Sequence, residues 1–236
     1  MPAAPLRPRR VAFLGSPDAA VPTLAALVAG GFDVAIVVTQ PDRRRGRGSA
    51  TAPTPVKAAA EALGLPVAHT VDDAVAAGVD IGVVVAFGEL ITAAQLDALP
   101  MVNVHFSLLP RWRGAAPVER ALLAGDDRTG VCVMEVVEAL DAGGVYASTE
   151  VPIGPRSTAA ELRSDLAERG AELLVECLAA GLGEPVPQDG EVTYAKKITS
   201  ADLRLDWSGA IADLDRRVRV GGAWTTFRGK RLKVLD

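Results

Sequence analysis

Residues 11–39, VAFLGSPDAAVPTLAALVAGGFDVAIVVT, decide the fold class of this chain of 236 residues. The apolar run at 11–14 predicts a strand, and residues 20–29 predict a helix that ends at two glycines. Residues 34–39 predict a second strand, rich in the β-branched side chains that tolerate burial on both faces of a sheet. This order is the strand–helix–strand unit of a parallel sheet.

Predicted strands and helices continue to alternate after this unit as far as Asp141. It predicts an α/β protein with a Rossmann-like, mostly parallel twisted sheet and helices on both faces, in which residues 81–86, the most apolar run, form a central strand. Because Pro, Gly and charged residues accumulate after a long helix that Thr158 caps, we place the end of the sheet domain at residue 190. Residues 191–236 then form a linker, a helix predicted at 208–220, and the first strands of a further region.

Composition excludes several classes of protein. Apolar residues make up 49% and charged residues 23%, which rules out a disordered chain, and the net charge of −4 rules out a general nucleic-acid coat. Two cysteines and two histidines provide no zinc-ligand spacing, and no apolar run is long enough for a membrane span. We therefore expect a cytoplasmic protein that needs neither a membrane nor a metal ion.

The chemistry-bearing stretch is residues 103–110, NVHFSLLP. Asn103 and His105 lie two positions apart in a predicted buried strand, so their side chains point to one face near its carboxyl end, where open α/β sheets place active sites. On the residues alone, a satisfied core histidine beside a turn-forming asparagine is an equally open interpretation. A nicotinamide site is not indicated, since the first strand–helix turn, Gly15 to Asp18, lacks the G-x-G-x-x-G pattern.

A family resemblance favours the catalytic interpretation. Residues 103–117, NVHFSLLPRWRGAAP, resemble the signature of the 10-formyltetrahydrofolate-dependent formyltransferases, and residues 111–117 resemble the methionyl-tRNA formyltransferase family in particular. A second landmark, EALDAGG at 138–144, aligns the aspartate of the family's L-D-x-G motif with Asp141. Further matches occur at residues 16–18, 40–42, 46–48 and 206–207, so the resemblance covers about residues 10–236.

The resemblance implies roles for particular residues. It makes Asn103, His105 and Asp141 the catalytic residues. It implies a pocket for the folate co-substrate, with the residues Phe87, Gly88, Leu90, Ser107, Leu108, Leu109, Pro110, Val136 and Leu140. In the basic stretch after the second strand it implies tRNA contacts, made by Arg43, Arg44, Arg45 and Arg47.

The function that the resemblance implies is formyl transfer from 10-formyltetrahydrofolate to the amino group of initiator methionyl-tRNA, by a monomer without a metal ion. Two alternatives stay open, namely a formyltransferase for a small amine such as an amino sugar, and a non-catalytic folate- or RNA-binding relative. The family usually carries a further barrel-like C-terminal domain. We expect that domain to be missing here, either because the gene product is short or because the sequence is a fragment.

Overall fold

The computed structural model describes residues 4–44 and 51–235. The strands are β1 (Arg10–Gly15), β2 (Asp33–Val38), β3 (Arg43–Arg44), β4 (Thr51–Ala52), β5 (Val67–Ala68), β6 (Ile81–Val85), β7 (Met101–His105), β8 (Arg128–Glu135), β9 (Val145–Pro152), β10 (Trp224–Phe227) and β11 (Lys230–Lys233). The helices are α1 (Val21–Ala29), α2 (Pro55–Ala62), α3 (Val71–Ala76), α4 (Ala93–Ala98), α5 (Pro117–Ala124), α6 (Ala159–Ala180) and α7 (Ile211–Val220).

Seven strands form one sheet in the order β5-β2-β1-β6-β7-β8-β9. The neighbours from β5 to β7 are parallel, whereas β8 and β9 are antiparallel additions at the far edge. The chain runs outward from β1 to β5 and then returns to β6 on the other side of β1. This reversal leaves a crevice at the carboxyl ends of the strands, where ligands bind in open α/β sheets.

Alternating residues of the central strands build a core on each face of the sheet. Val102 and Val104 of β7 belong to a large core under α1, α2, α5 and α6, and Met101 belongs to a smaller one under α3 and α4. The predicted fold class, a mostly parallel Rossmann-like sheet with helices on both faces, is therefore confirmed. The prediction that residues 81–86 form a central strand is also confirmed, because β6 lies fourth of the seven strands and is fully buried.

One predicted boundary is wrong. The last helix begins at Ile211, not at residue 208, because Asp206 closes a turn there: its carboxylate accepts from the Ser208 backbone N–H at 3.1 Å, and its carbonyl accepts from Gly209 N at 2.9 Å. Asp and Ser side chains compete with helical bonding in this way. The division into regions 1–190 and 191–236 stays a prediction.

Candidate active site

Strand β7 presents the two polar residues that the sequence analysis singled out. It lies between β6 and β8, where Asn103 pairs with Val84 on one side and with Met134 on the other. Because side chains alternate along a strand, Asn103 and His105 face the same side, opposite to Val104. Both polar side chains line one cavity of about 510 Å³.

The walls of this cavity are largely apolar. Five of the residues predicted for folate line it, and they come from the segments that follow β6 and β8: Phe87, Gly88, Leu90, Val136 and Leu140. Leu90 is 87% exposed and Leu140 54% exposed. Exposed apolar side chains at a cavity favour binding of a flat apolar ligand, because the ligand removes their surface from water.

The other four residues predicted for folate lie outside this cavity: Ser107, Leu108, Leu109 and Pro110. The chain turns away after β7, and the buried Ser107 hydroxyl donates to the Arg111 carbonyl at 2.6 Å. Leu108 contacts a second, smaller cavity beside Trp112. These residues shape the turn that follows β7, and their contact with folate stays a prediction.

The imidazole of His105 is buried, and each of its nitrogens faces one partner. Nε2 lies 2.9 Å from the Trp112 carbonyl oxygen, and Nδ1 lies 3.7 Å from Oδ2 of Asp141. A carbonyl oxygen only accepts hydrogen bonds, so Nε2 carries a proton. Nδ1 is the nitrogen that faces the carboxylate.

A backbone amide also holds the same oxygen of the Asp141 carboxylate. Gly114 N donates to Oδ2 at 2.7 Å. Gly114 has φ +115°, and a Cβ atom there would lie 3.0 Å from the Ala195 carbonyl, so a side chain at this position is strained and crowded. The structure thus brings Asn103, His105 and Asp141, the three residues predicted to be catalytic, to one cavity.

Trp112 positions the carbonyl that holds His105. Its backbone has φ +64°, an uncommon conformation for a bulky residue. The indole Nε1 donates to Asp126 at 2.8 Å, and the backbone N–H donates to the Thr193 hydroxyl at 2.8 Å. Sequence reasoning missed the Trp112 carbonyl and the Gly114 N–H. The only sequence signal for these two backbone groups was that residues 112–114, Trp-Arg-Gly, lie inside the family motif.

A buried thiol lies beside this cluster. Cys132 on β8 is directly opposite His105 on β7. Burial raises the pKa of the Cys132 thiol. Because the thiolate is the nucleophilic form of cysteine, this raised pKa disfavours nucleophilic chemistry at Cys132.

The basic stretch lies partly outside the described residues. Arg43 and Arg44 form β3, which pairs antiparallel with β4, while Arg45 and Arg47 lie outside the described part of the chain. Just before β3, the Asp42 carboxylate accepts from Lys57 Nζ at 2.9 Å. This ion pair joins the start of the basic stretch to α2.

No helix within residues 4–44 and 51–235 is both long and apolar enough to cross a membrane.

Comparison with known proteins identifies the family. A family model described as formyl transferase matches residues 9–178, which include every strand of the seven-stranded sheet. The chain is 48% identical to the methionyl-tRNA formyltransferase of Roseobacter denitrificans, an alignment that covers 96% of this chain and 79% of that protein. The chain therefore belongs to the formyl transferase family and, within it, to the methionyl-tRNA formyltransferases.

Solved structures share the fold at low sequence identity. HypX from Aquifex aeolicus in complex with tetrahydrofolic acid superposes with a TM-score of 0.69 at 18% identity, over 98% of this chain and 38% of that one. An N-formyltransferase from Helicobacter canadensis, in complex with folinic acid and dTDP-3-aminofucose, gives a TM-score of 0.72 at 16% identity, over 94% of this chain and 86% of that one. At such identities the likeness concerns the fold alone.

Proposed function

We propose that this chain transfers the formyl group of 10-formyltetrahydrofolate to the amino group of methionyl-tRNA. The observation that carries the proposal is the cluster of Asn103, His105 and Asp141 at one apolar-walled cavity. An amide, an imidazole and a carboxylate are the groups that acyl transfer to an amine requires: one donor for the oxyanion and two groups that move protons.

Asn103 supplies the donor for the oxyanion. The amine attacks the formyl carbon, and the carbonyl oxygen becomes negatively charged as the tetrahedral intermediate forms. Asn103 lines the cavity next to His105, so its amide N–H is available to that oxygen. Loss of one such donor costs about 3 to 4 kcal/mol of transition-state stabilisation in enzymes where it has been measured.

His105 and Asp141 move the protons. The ammonium of the aminoacyl group first loses one proton to the Asp141 carboxylate, directly or through one water molecule, and the neutral amine then attacks the formyl carbon. The second proton that this nitrogen loses as the amide forms goes to solvent. As the carbon–nitrogen bond to the folate breaks, the departing nitrogen takes the proton on Nδ1 of His105. The distance of 3.7 Å between Nδ1 and Oδ2 of Asp141 lets the carboxylate stabilise the imidazolium before the transfer.

The cavity suits the flat ring system of a folate. A volume of about 510 Å³ lies in the range of small-molecule sites, and Phe87, Leu90 and Val136 provide apolar walls. Ala86 begins the segment after β6 with φ +45°, an uncommon backbone conformation that turns the chain around the cavity.

The acceptor we propose is a tRNA and not a small amine. Relatives named methionyl-tRNA formyltransferases are 43% to 48% identical to this chain, whereas the sugar N-formyltransferase structures are 16% to 21% identical. The arginines at 43–45 and 47 add a local positive charge to a chain of net charge −4. Such a charge suits the phosphates of one RNA segment.

The test is turnover by the purified chain of 236 residues. With 10-formyltetrahydrofolate and methionyl-tRNA, we expect N-formylmethionyl-tRNA, detected by mass spectrometry after the ester bond is hydrolysed. A parallel series offers nucleotide-linked amino sugars and the methyl ester of methionine. Efficient formylation of an amino sugar without any of methionyl-tRNA would replace the proposal with the small-amine alternative, and no turnover of any acceptor would support the non-catalytic one.

The arginine stretch is tested by its salt dependence. Replacing Arg43, Arg44, Arg45 and Arg47 with alanine should raise KM for methionyl-tRNA and reduce the salt slope of kcat/KM by about 0.7 to 0.9 for each phosphate that these side chains no longer neutralise. Formylation of the methionine methyl ester should be unchanged. The matched control removes four exposed arginines elsewhere, namely Arg9, Arg128, Arg156 and Arg169. Equal effects of the two quadruple changes would mean that net charge, and not binding by this stretch, drives the association with tRNA.

A further inference from the structure

Gln188 lies between α6 and α7 and connects the two loops that carry the polar cluster. Its Oε1 accepts from Arg113 Nε at 3.1 Å and from Arg113 Nη2 at 2.7 Å. Its Nε2 donates to the carbonyl oxygens of Asp141 and Gly143, both at 2.8 Å. One half-buried amide thus joins Arg113 to Asp141 and Gly143. These partners lie 75, 47 and 45 positions before Gln188 in the chain.

The chemistry of the partners fixes the orientation of this amide. A guanidinium only donates hydrogen bonds and a backbone carbonyl only accepts them. Oε1 of Gln188 must therefore face Arg113, and Nε2 must face the two carbonyls. The flipped amide would place donors against donors and acceptors against acceptors, so only one orientation of the amide forms all four hydrogen bonds.

Both connected loops touch the Asp141 carboxylate. Arg113 directly precedes Gly114, whose N–H donates to Oδ2 of Asp141. On the other loop, Gly143 is packed so closely on β8 that a Cβ atom there would lie 2.0 Å from the Glu135 carbonyl. β8 therefore fixes the far end of this loop, while Gln188 holds the near end at Asp141, whose backbone has the uncommon φ of +47°.

We propose that Gln188 is a positioning residue that sets the separation between the Asp141 carboxylate and the His105 imidazole. The proposal rests on the formyl transfer proposed above. Among residues 4–44 and 51–235, Gln188 is the side-chain donor to the Asp141 carbonyl and the side-chain acceptor that ties Arg113 to that loop, and its removal leaves the two loops without this link. The separation of 3.7 Å between Nδ1 and Oδ2 then varies with the motion of two separate loops.

The first test is kinetic. Gln188→Ala should lower kcat for formylation of methionyl-tRNA at least about tenfold, because small misplacements of catalytic groups cost up to about 10²-fold. KM for both substrates should change less than about twofold. Gln188→Glu keeps the acceptor for Arg113 and removes the donor for both carbonyls, and it should show a similar decrease in kcat. This variant replaces Gln188→Ala if the alanine protein does not fold. Asp189→Ala, an exposed neighbour outside the cavity lining, is the matched control and should retain full kcat.

The second test separates positioning from a general effect on the fold. In an Asp141→Asn background, Gln188→Ala should lower kcat by less than about twofold, since Gln188 acts through the group already changed. The same tenfold decrease in both backgrounds, or full kcat of either Gln188 variant, would overturn the proposal.

A third readout does not depend on activity. Because Gln188 holds the loop whose Asp141 side chain protects the Gly114 N–H, we expect Gln188→Ala to speed hydrogen exchange at Gly114 in the unliganded protein. Unchanged exchange would overturn the positioning role even if the wild-type chain formylated no acceptor, whereas inactivity of the wild type alone would contradict the proposed function.

Discussion

His105→Ala is expected to lower kcat for formyl transfer at least about 100-fold and to leave the affinity for tetrahydrofolate nearly unchanged. A decrease of 100-fold corresponds to about 2.7 kcal/mol of transition-state stabilisation, the lower range for a positioned acid or base. The reason is the geometry of the ring. Nε2 is held by the Trp112 carbonyl, so Nδ1 beside Asp141 is the only ring position from which a proton is transferred. Steady-state kinetics with both substrates varied will measure the effect.

The chain contains a matched control for this change. His69 is the other histidine, and its Nδ1 lies 2.8 Å from the Thr39 carbonyl, away from the cavity lining. His69→Ala should leave kcat within about twofold of the wild type. Because His105 is buried, its variant is compared by thermal unfolding, and His105→Asn replaces it if the alanine protein does not fold. A change confined to KM would contradict the catalytic assignment.

Much of the fold follows from local sequence. The apolar runs of β1, β2 and β6 carry buried residues on both faces, and that pattern is typical of strands in a parallel sheet covered by helices. The end of α5 is also set locally, because Gly125, a residue type that readily takes positive φ, follows the helix with φ +77°.

The parts that sequence reasoning missed depend on contacts between distant residues. Helix α3 has only six residues and therefore no long periodic pattern, although Thr70 and Asp73 form a capping box at its start. The antiparallel direction of β8 and β9 is fixed by how the chain returns to the sheet, which no local pattern records. The start of α7 was predicted too early because the Asp206 turn competes with the helix.

At the candidate site, the sequence identified side chains better than backbone groups. Asn103 and His105 stand out because a polar residue on a buried strand is unusual. The roles of the Trp112 carbonyl and the Gly114 N–H cannot be predicted from residue type, since every residue has a backbone carbonyl. Ser107 to Pro110 follow the same strand without lining the cavity described above, so their contact with folate stays a prediction.

Asp141→Asn is expected to lower kcat at least about 100-fold while the fold and the affinity for tetrahydrofolate are retained. The asparagine carbonyl oxygen still accepts from Gly114 N, which lies 2.7 Å from Oδ2 in the wild type, so the loop keeps its anchor. What the variant lacks is the negative charge that stabilises the imidazolium and takes the proton of the attacking ammonium.

The same variant shows whether the two groups act as a unit. If Asp141 acts on His105 Nδ1 across their separation of 3.7 Å, the double variant with His105→Ala should be only slightly slower than the slower single variant. Multiplied effects of the two changes would mean that the carboxylate and the imidazole serve separate steps. Wild-type kcat in Asp141→Asn would show that the charge is not needed, and the proton of the ammonium would then have to leave to solvent before the attack on the formyl carbon.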